Sequence, residues 1–396
     1  MLVPVYSANF TAFPESSGQI ISDLGFVVVD GVTTLTAVSY GGDFVTYFDI
    51  SGGDPAFVSQ IELSHATGPV GFGAHLEVFS LDGSDYLAFS GFSGTATPYY
   101  QVSSGGALSV SLNFGDLASQ SHISGISFDA GGGEDVVLAT DYLSGSLRSY
   151  TANSGTLELA SIGPLPANSP LDLREVSTID SHGQRYAIVI NQNDATVLAY
   201  RIEASGNLLL TDQVGAIDQL SLSTPTRIET TIIDERSFAI IADAGSNSLS
   251  VLEISETGGL IARDYVFDDL GTRFFGVSEL KVVQDGDATF VIAAGADDGF
   301  SLFQLSPSGR LFHHASFEDT LETALQNPSA LEAKIEGQSL SLFIASEAEA
   351  GITHFTVDLS EIGEISAASD EGGTTSGTAK NDVLEGKCDC ATDQGH

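Results

Sequence analysis

The sequence predicts an all-β protein, a seven-bladed β-propeller of four-stranded antiparallel blades over residues 22–369. Three observations predict it. The first is a repeated spelling: a large apolar residue, a second apolar residue two positions on, then a glycine. It occurs at Phe48/Ile50/Gly53, Tyr100/Val102/Gly105, Tyr150/Ala152/Gly155, Tyr200/Ile202/Gly206, Leu252/Ile254/Gly258, Phe303/Leu305/Gly309 and Phe355/Val357/Gly363. Its first members are 52, 50, 50, 52, 51 and 52 residues apart. A step near 50 with several strands per copy is the spacing of a propeller blade. The second is the apolar run ahead of the spelling, as in VVLA (136–139), YAIVI (186–190) and FAIIA (238–242), which suits a strand covered on both faces. The third is that one small sheet cannot shield both of its faces. Equal copies packed around an axis can, and a closed ring leaves few exposed edges.

The elements follow from the step. Residues 1–21 precede the first copy and read as an arm or a ring-closing strand, with its apolar stretch at 3–13. Blade one covers 22–63, with strands near 26–29, 34–39, 45–50 and 57–63. Blade two runs to about 114 and blade three to about 163. The three prolines of PLPANSPLDL (164–173) make a loop. Blade four ends near residue 214, blade five near 267 and blade six near 317, joined by links at 215–226, 268–276 and 318–329. Blade seven follows. After residue 369 the chain is rich in Gly, Thr and Asp and poor in apolar residues, so 370–396 is expected to be a short disordered tail.

Composition narrows the function classes. There are 53 Asp and Glu against 13 Lys and Arg, a formal charge of −40. Such a surface repels phosphate backbones and anionic lipid, so nucleic acid is not an expected partner. No apolar run reaches the length of a membrane span. The two cysteines, Cys388 and Cys390, both lie in the tail and support no disulfide framework. The beginning MLVPVYSANF lacks the basic and long apolar regions of a secretory signal. Two locations stay open: export by a route without an N-terminal signal, or the cytoplasm. A monomer is expected.

The first strand of a propeller blade lines the central channel, and here those strands carry charge at alternate positions. His75/Glu77, Arg227/Glu229, Glu279/Lys281 and Glu332/Lys334 each sit two apart, and Arg174 and Glu175 hold the matching place in blade four. Period two puts both members of each spaced pair on one face. Four of the 13 basic residues, Arg174, Arg227, Lys281 and Lys334, fall in these strands. Two readings stay open. The ring of mixed charges binds a small polar ligand or poises an acid and a base, or the charges pair across neighbouring strands and line a wet channel. His65 and His122 lie in segments entering blades two and three, within reach of the channel mouth. His313 and His314 read as surface.

Two resemblances add to this. The blade ending in YRIEASGNLLL (200–210) and FQLSPSGRLF (303–312) resembles lactonase-type seven-bladed propellers, the 6-phosphogluconolactonase and carboxymuconate cyclase group. That resemblance implies a hydrolase whose channel uses His, Arg and Glu, roles open here to Arg174, Glu175, Arg227 and Glu229. The family usually enters its inner strands with His-Pro; of that dipeptide this chain keeps only the proline, at Pro170, Pro225 and Pro328, and it has no His-Pro anywhere. The tail segment GTAKNDVLEG (377–386) resembles the opening of an RTX, or hemolysin-type, repeat. It implies calcium as cofactor, with Asp382 and Asn381 at an incomplete site, and secretion through a type I apparatus. The expectation is therefore a secreted RTX-type propeller acting as a binding or display module; the alternative is a lactonase-like hydrolase.

Overall fold

The computed structural model describes residues 4–10, 20–39, 44–52, 54–62, 75–81, 83–94, 99–112, 121–129, 134–141, 144–153, 156–166, 172–218, 220–286, 288–367 and 380–385. Within them the chain is a seven-bladed β-propeller. Seven antiparallel sheets each start from one inner strand: Ile21–Val29, His75–Leu81, Ser121–Asp129, Leu173–Ser181, Pro225–Ile233, Glu279–Asp285 and Pro328–Glu336. Each inner strand touches the next around the circle, and the seventh touches the first. No helix of the described residues is long and apolar enough to cross a membrane.

The repeated spelling does specific work in this architecture. Its large residue sits at a register shift between the third and fourth strands, at Tyr47/Phe48, Ser149/Tyr150, Ala199/Tyr200, Val251/Leu252 and Leu302/Phe303. A β-bulge at that place increases the local twist of each blade. Its glycine turns the outer hairpin with positive φ, 81° at Gly206, 81° at Gly258 and 89° at Gly309. The turn also presses on the preceding blade: a Cβ at Gly258 would lie 2.5 Å from the ring of Tyr186. Backbone conformation and close approach thus both require glycine there.

The core is distributed rather than central. Among the described residues there are seven buried apolar clusters, one per pair of neighbouring blades. This is why no blade folds its faces shut alone.

Two blades depart from the plain pattern. Blade three gains a fifth strand, Phe92–Gly94, which lies between the second and third strands of blade two in sequence and pairs with Ser121–Asp129. Blade seven has Pro328–Glu336, Ser339–Ser346 and Ile352–Asp358 and takes its outer strand from the other end of the chain, Val5–Phe10. Ile362–Ala367 joins no blade. It pairs in parallel with Asn381–Glu385 of the tail.

Candidate functional site

A cavity of about 720 Å3 lies on the axis of the ring, walled by the inner strands. Register with the second strands aligns Leu24, Leu76, Ile126, Val176, Ile228, Leu280 and Leu331. The residues on either side of these form two belts around the wall. One belt is Asp23, His75, Gly125, Glu175, Arg227, Glu279 and Ala330. The other is Gly25, Glu77, Ser127, Ser177, Glu229, Lys281 and Glu332. Alternation along a strand turns both belts the same way.

The charged members pair between blades. Arg227 binds Glu279 on the next blade, Nη2 to Oε1 at 2.9 Å and Nε to Oε2 at 3.4 Å. Lys281 donates from Nζ to Glu332 on the next blade at 3.0 Å and stands 3.9 Å from Glu229 on the previous one. Glu175 accepts from the Ile228 backbone N–H at 2.9 Å. Asp23 accepts from the Leu76 N–H at 2.7 Å and lies 3.8 Å from His75. One position earlier on the strands, hydroxyls stitch the same seams. Ser124, Thr226, Ser278 and Ser329 each donate to a backbone carbonyl at the next blade, at Leu173, Val277, Pro328 and Ile21 respectively.

Carboxylates outnumber cations on this wall, and burial disfavours their charged forms. Burial pushes Glu77 and Glu279 up to about 8 and Glu229 up to about 7, although Lys281 or Arg227 pulls each of them down. Glu175 and Glu332 are raised for the same first reason. For Arg227 and Lys281 burial works against the charge, but the facing carboxylates outweigh it and hold both above their ordinary values.

His75, Glu77, Arg174, Glu175, Arg227, Glu229, Glu279, Lys281 and Glu332 all line the cavity. Two of the residues singled out from the sequence behave differently from the rest. Arg174 occupies the hydroxyl position of blade four and grips Asp172 with Nε and Nη2, both at 2.7 Å. Lys334 is not in the cavity wall. It pairs with Glu336 and stands 6.0 Å from the Phe26 ring. Blades five and seven shift register at the same place, after Pro225 and after Pro328. The charges of blade seven lie four and six residues beyond its proline where those of blade five lie two and four, so they sit one step further along.

Asp23 escaped sequence reasoning because the first inner strand was expected to begin near residue 26, whereas it begins at Ile21. The signal was present: Asp23 precedes His75 by 52 residues, one repeat step. His65 lies outside the described residues, and His122 is described only in its backbone, which pairs with Ser93. His313 and His314 are on the outer strand Leu311–Glu318, bonded to Ser316 and Gln304 at 2.8 and 2.9 Å. Asp382 lies in the short parallel strand; for Asn381 the backbone pairing with Ile362 is described. Among the described residues no three His, Cys, Asp or Glu side chains converge as metal ligands.

No family model matches the chain, and no curated protein matches it. Among solved structures, one described as the protein from Lactobacillus plantarum, a Northeast Structural Genomics Consortium target, aligns with a TM-score of 0.48 and 17% identity. The alignment covers 68% of this chain and 79% of that one.

Proposed function

We propose that this protein is a binding module whose ligand, a small polar molecule rich in hydrogen-bond donors, seats in the axial cavity. The observation that carries this reading is the surplus of acceptors on the wall. Asp23, Glu77, Glu175, Glu229, Glu279 and Glu332 face three paired cations, Arg174, Arg227 and Lys281. Those cations are already held by carboxylates. A wall carboxyl that keeps its proton still offers its carbonyl oxygen, and a cationic donor draws it into the ionised form, so a ligand that brings donors meets acceptor capacity and one that brings negative charge does not. A concave site with a few converging polar groups is the usual form of a small-molecule site. Calorimetry with amines, polyols and carboxylates tests it. Donor-rich compounds should bind, with affinity at least tenfold weaker in Glu77→Gln or Glu229→Gln. Heat from carboxylates alone, or no heat from any class, overturns it.

A second reading is favoured by one observation. Burial brings Glu229 to about 7 at 3.9 Å from Lys281. A carboxyl group that exchanges its proton near neutrality suits general acid or base work. The resemblance to lactonase-type propellers makes lactones and sugar-phosphate lactones the compounds to screen. Turnover that disappears in Arg227→Ala or Glu229→Gln would replace the binding module by a hydrolase.

The parallel pairing of Ile362–Ala367 with Asn381–Glu385 supports kinship of the tail with RTX coils, and with it calcium and type I export. The described donors do not assemble the six to eight oxygens that calcium takes. Calcium titration with and without residues 370–396 decides the point; identical traces remove Asp382 from consideration.

A further inference from the structure

Six seams of the ring join blades that follow one another in the chain. The seventh joins blade seven to blade one, and it is closed by Val5–Phe10. One position sets this seam apart. On the third strand of each blade the residue before the signature position faces the next blade. It is Tyr47, Tyr99, Ser149, Ala199, Val251 and Leu302 in blades one to six, and His354 in blade seven.

His354 is packed as though it were apolar. Only 3% of its side chain is exposed, and its ring lies flat on Phe343, with centroids 4.6 Å apart and an interplanar angle of 6°. Its backbone partner in the closing strand is Ala8. Neither ring nitrogen has a hydrogen-bond partner among the described residues. The surrounding seam is hydrocarbon: Phe343, Ile352, Leu35 and Phe48, with Phe10 edge-on to Phe48 at 5.0 Å.

The charged groups acting on the ring are few. Asp54, on the outer hairpin of blade one, has Oδ1 at 3.9 Å from Nδ1 and is 73% exposed. Lys334 acts from the inner strand of blade seven. Asp49 of blade one is engaged with the Ser51 N–H at 2.8 Å. Ser339–Ser346 carries no titratable side chain. The one titratable group of Val5–Phe10, Tyr6, lies against Phe355 on the opposite face.

We propose that His354 makes the closing seam an acid-operated latch. The neutral imidazole fills the seam as a flat apolar plate. A proton puts a charge where no acceptor is within hydrogen-bond range and where Asp54 is mostly in water. Release of Val5–Phe10 from Ile352–Asp358 lets water reach the imidazolium. Burial lowers the pKa of His354 below 6.5, and Lys334 adds to this, against the opposite pull of Asp54. The sign follows: the opened state binds the proton more readily, so closure is fully stable above the ordinary pKa and weakens as pH falls below it.

Hydrogen exchange read by mass spectrometry at pH 7.5 and 5.5, corrected for intrinsic rates, tests the latch. Protection of Val5–Phe10 should fall several-fold between the two, toward the limit of about tenfold that an opened-state histidine sets one unit below its ordinary pKa when the closed state takes up no proton. Gln184–Asn191 in blade four, far from the seam, should not change. His354→Phe keeps the stack without the proton and should abolish the fall; His354→Gln serves if that variant does not fold. Asp54→Asn should deepen it. A fall that persists in the His354 variant, or one shared equally by blade four, overturns the proposal.

Discussion

The channel wall has two unlike arcs. From blade four to blade seven the belts are filled by Glu175, Arg227, Glu229, Glu279, Lys281 and Glu332, whose bonds run from one blade to the next. At blade three both belts are small, Gly125 and Ser127, and blade one contributes Gly25. The same positions of the same repeat therefore serve two ends. On the charged arc a side chain reaches its neighbour across a seam; at Gly125 the backbones themselves come close. A Cβ on Gly125 would meet the Arg174 carbonyl oxygen at 2.7 Å and the Glu175 Cα at 2.9 Å. A repeat builds the ring, and its local exceptions shape the cavity.

This contrast can be broken from either side. The largest effect is expected on the charged arc. Arg227→Met leaves Glu279, only 7% exposed, without its partner. At pH 8 it should cost about 3 kcal/mol in urea unfolding, the scale for stranding one member of a buried ion pair. Near pH 5 the cost should shrink, because Glu279 then carries a proton. An equal cost at both values would mean that the bond is not what matters. On the bare arc Gly125→Ala should cost about 2 kcal/mol, because the groups it strikes are backbone and cannot move aside. Thermal melting near the wild-type value would show that this seam has slack.

Glu77→Gln should act through pH. The pKa of Glu77 is raised from 4.5 to about 8, so its contribution to stability is complete below 4.5 and lost as pH rises through 8. The variant should show a flatter stability profile over that window and be more stable than wild type at pH 8 by about 1–2 kcal/mol. Parallel profiles would place Glu77 in water. The smallest effect belongs to Lys334→Met. Its partner Glu336 is 70% exposed, so stability should change by less than about 1 kcal/mol and ligand affinity not at all. A changed affinity would put Lys334 back in the wall.

Much of the ring was legible in the chain. Copies of a sheet with apolar faces must stack, and a bulge-bearing aromatic and a turn glycine mark each copy, as at Tyr200 and Gly206. Alternation on the inner strands also pointed to most of the wall, because orientation there depends only on neighbours two residues away. Asp23 was missed because strand ends depend on pairing partners that sequence order does not reveal. Lys334 was misplaced because the spacing of a charged pair does not say how far along the strand it sits: aligned on the shared shift after Pro225 and Pro328, Lys334 matches Thr231 and not Glu229.

Taken alone, the order of residues determined the number of modules, their strand character and which strands carry the channel's charges, since all three are local properties. Tertiary structure decided which carboxylate meets which cation, that Val5–Phe10 completes the last blade, and that His354 is buried against Phe343. Those outcomes depend on residues from different strands being brought into contact, Arg227 and Glu279 across one seam and, at 349 positions apart, Ser7 and Thr356 where the ring closes.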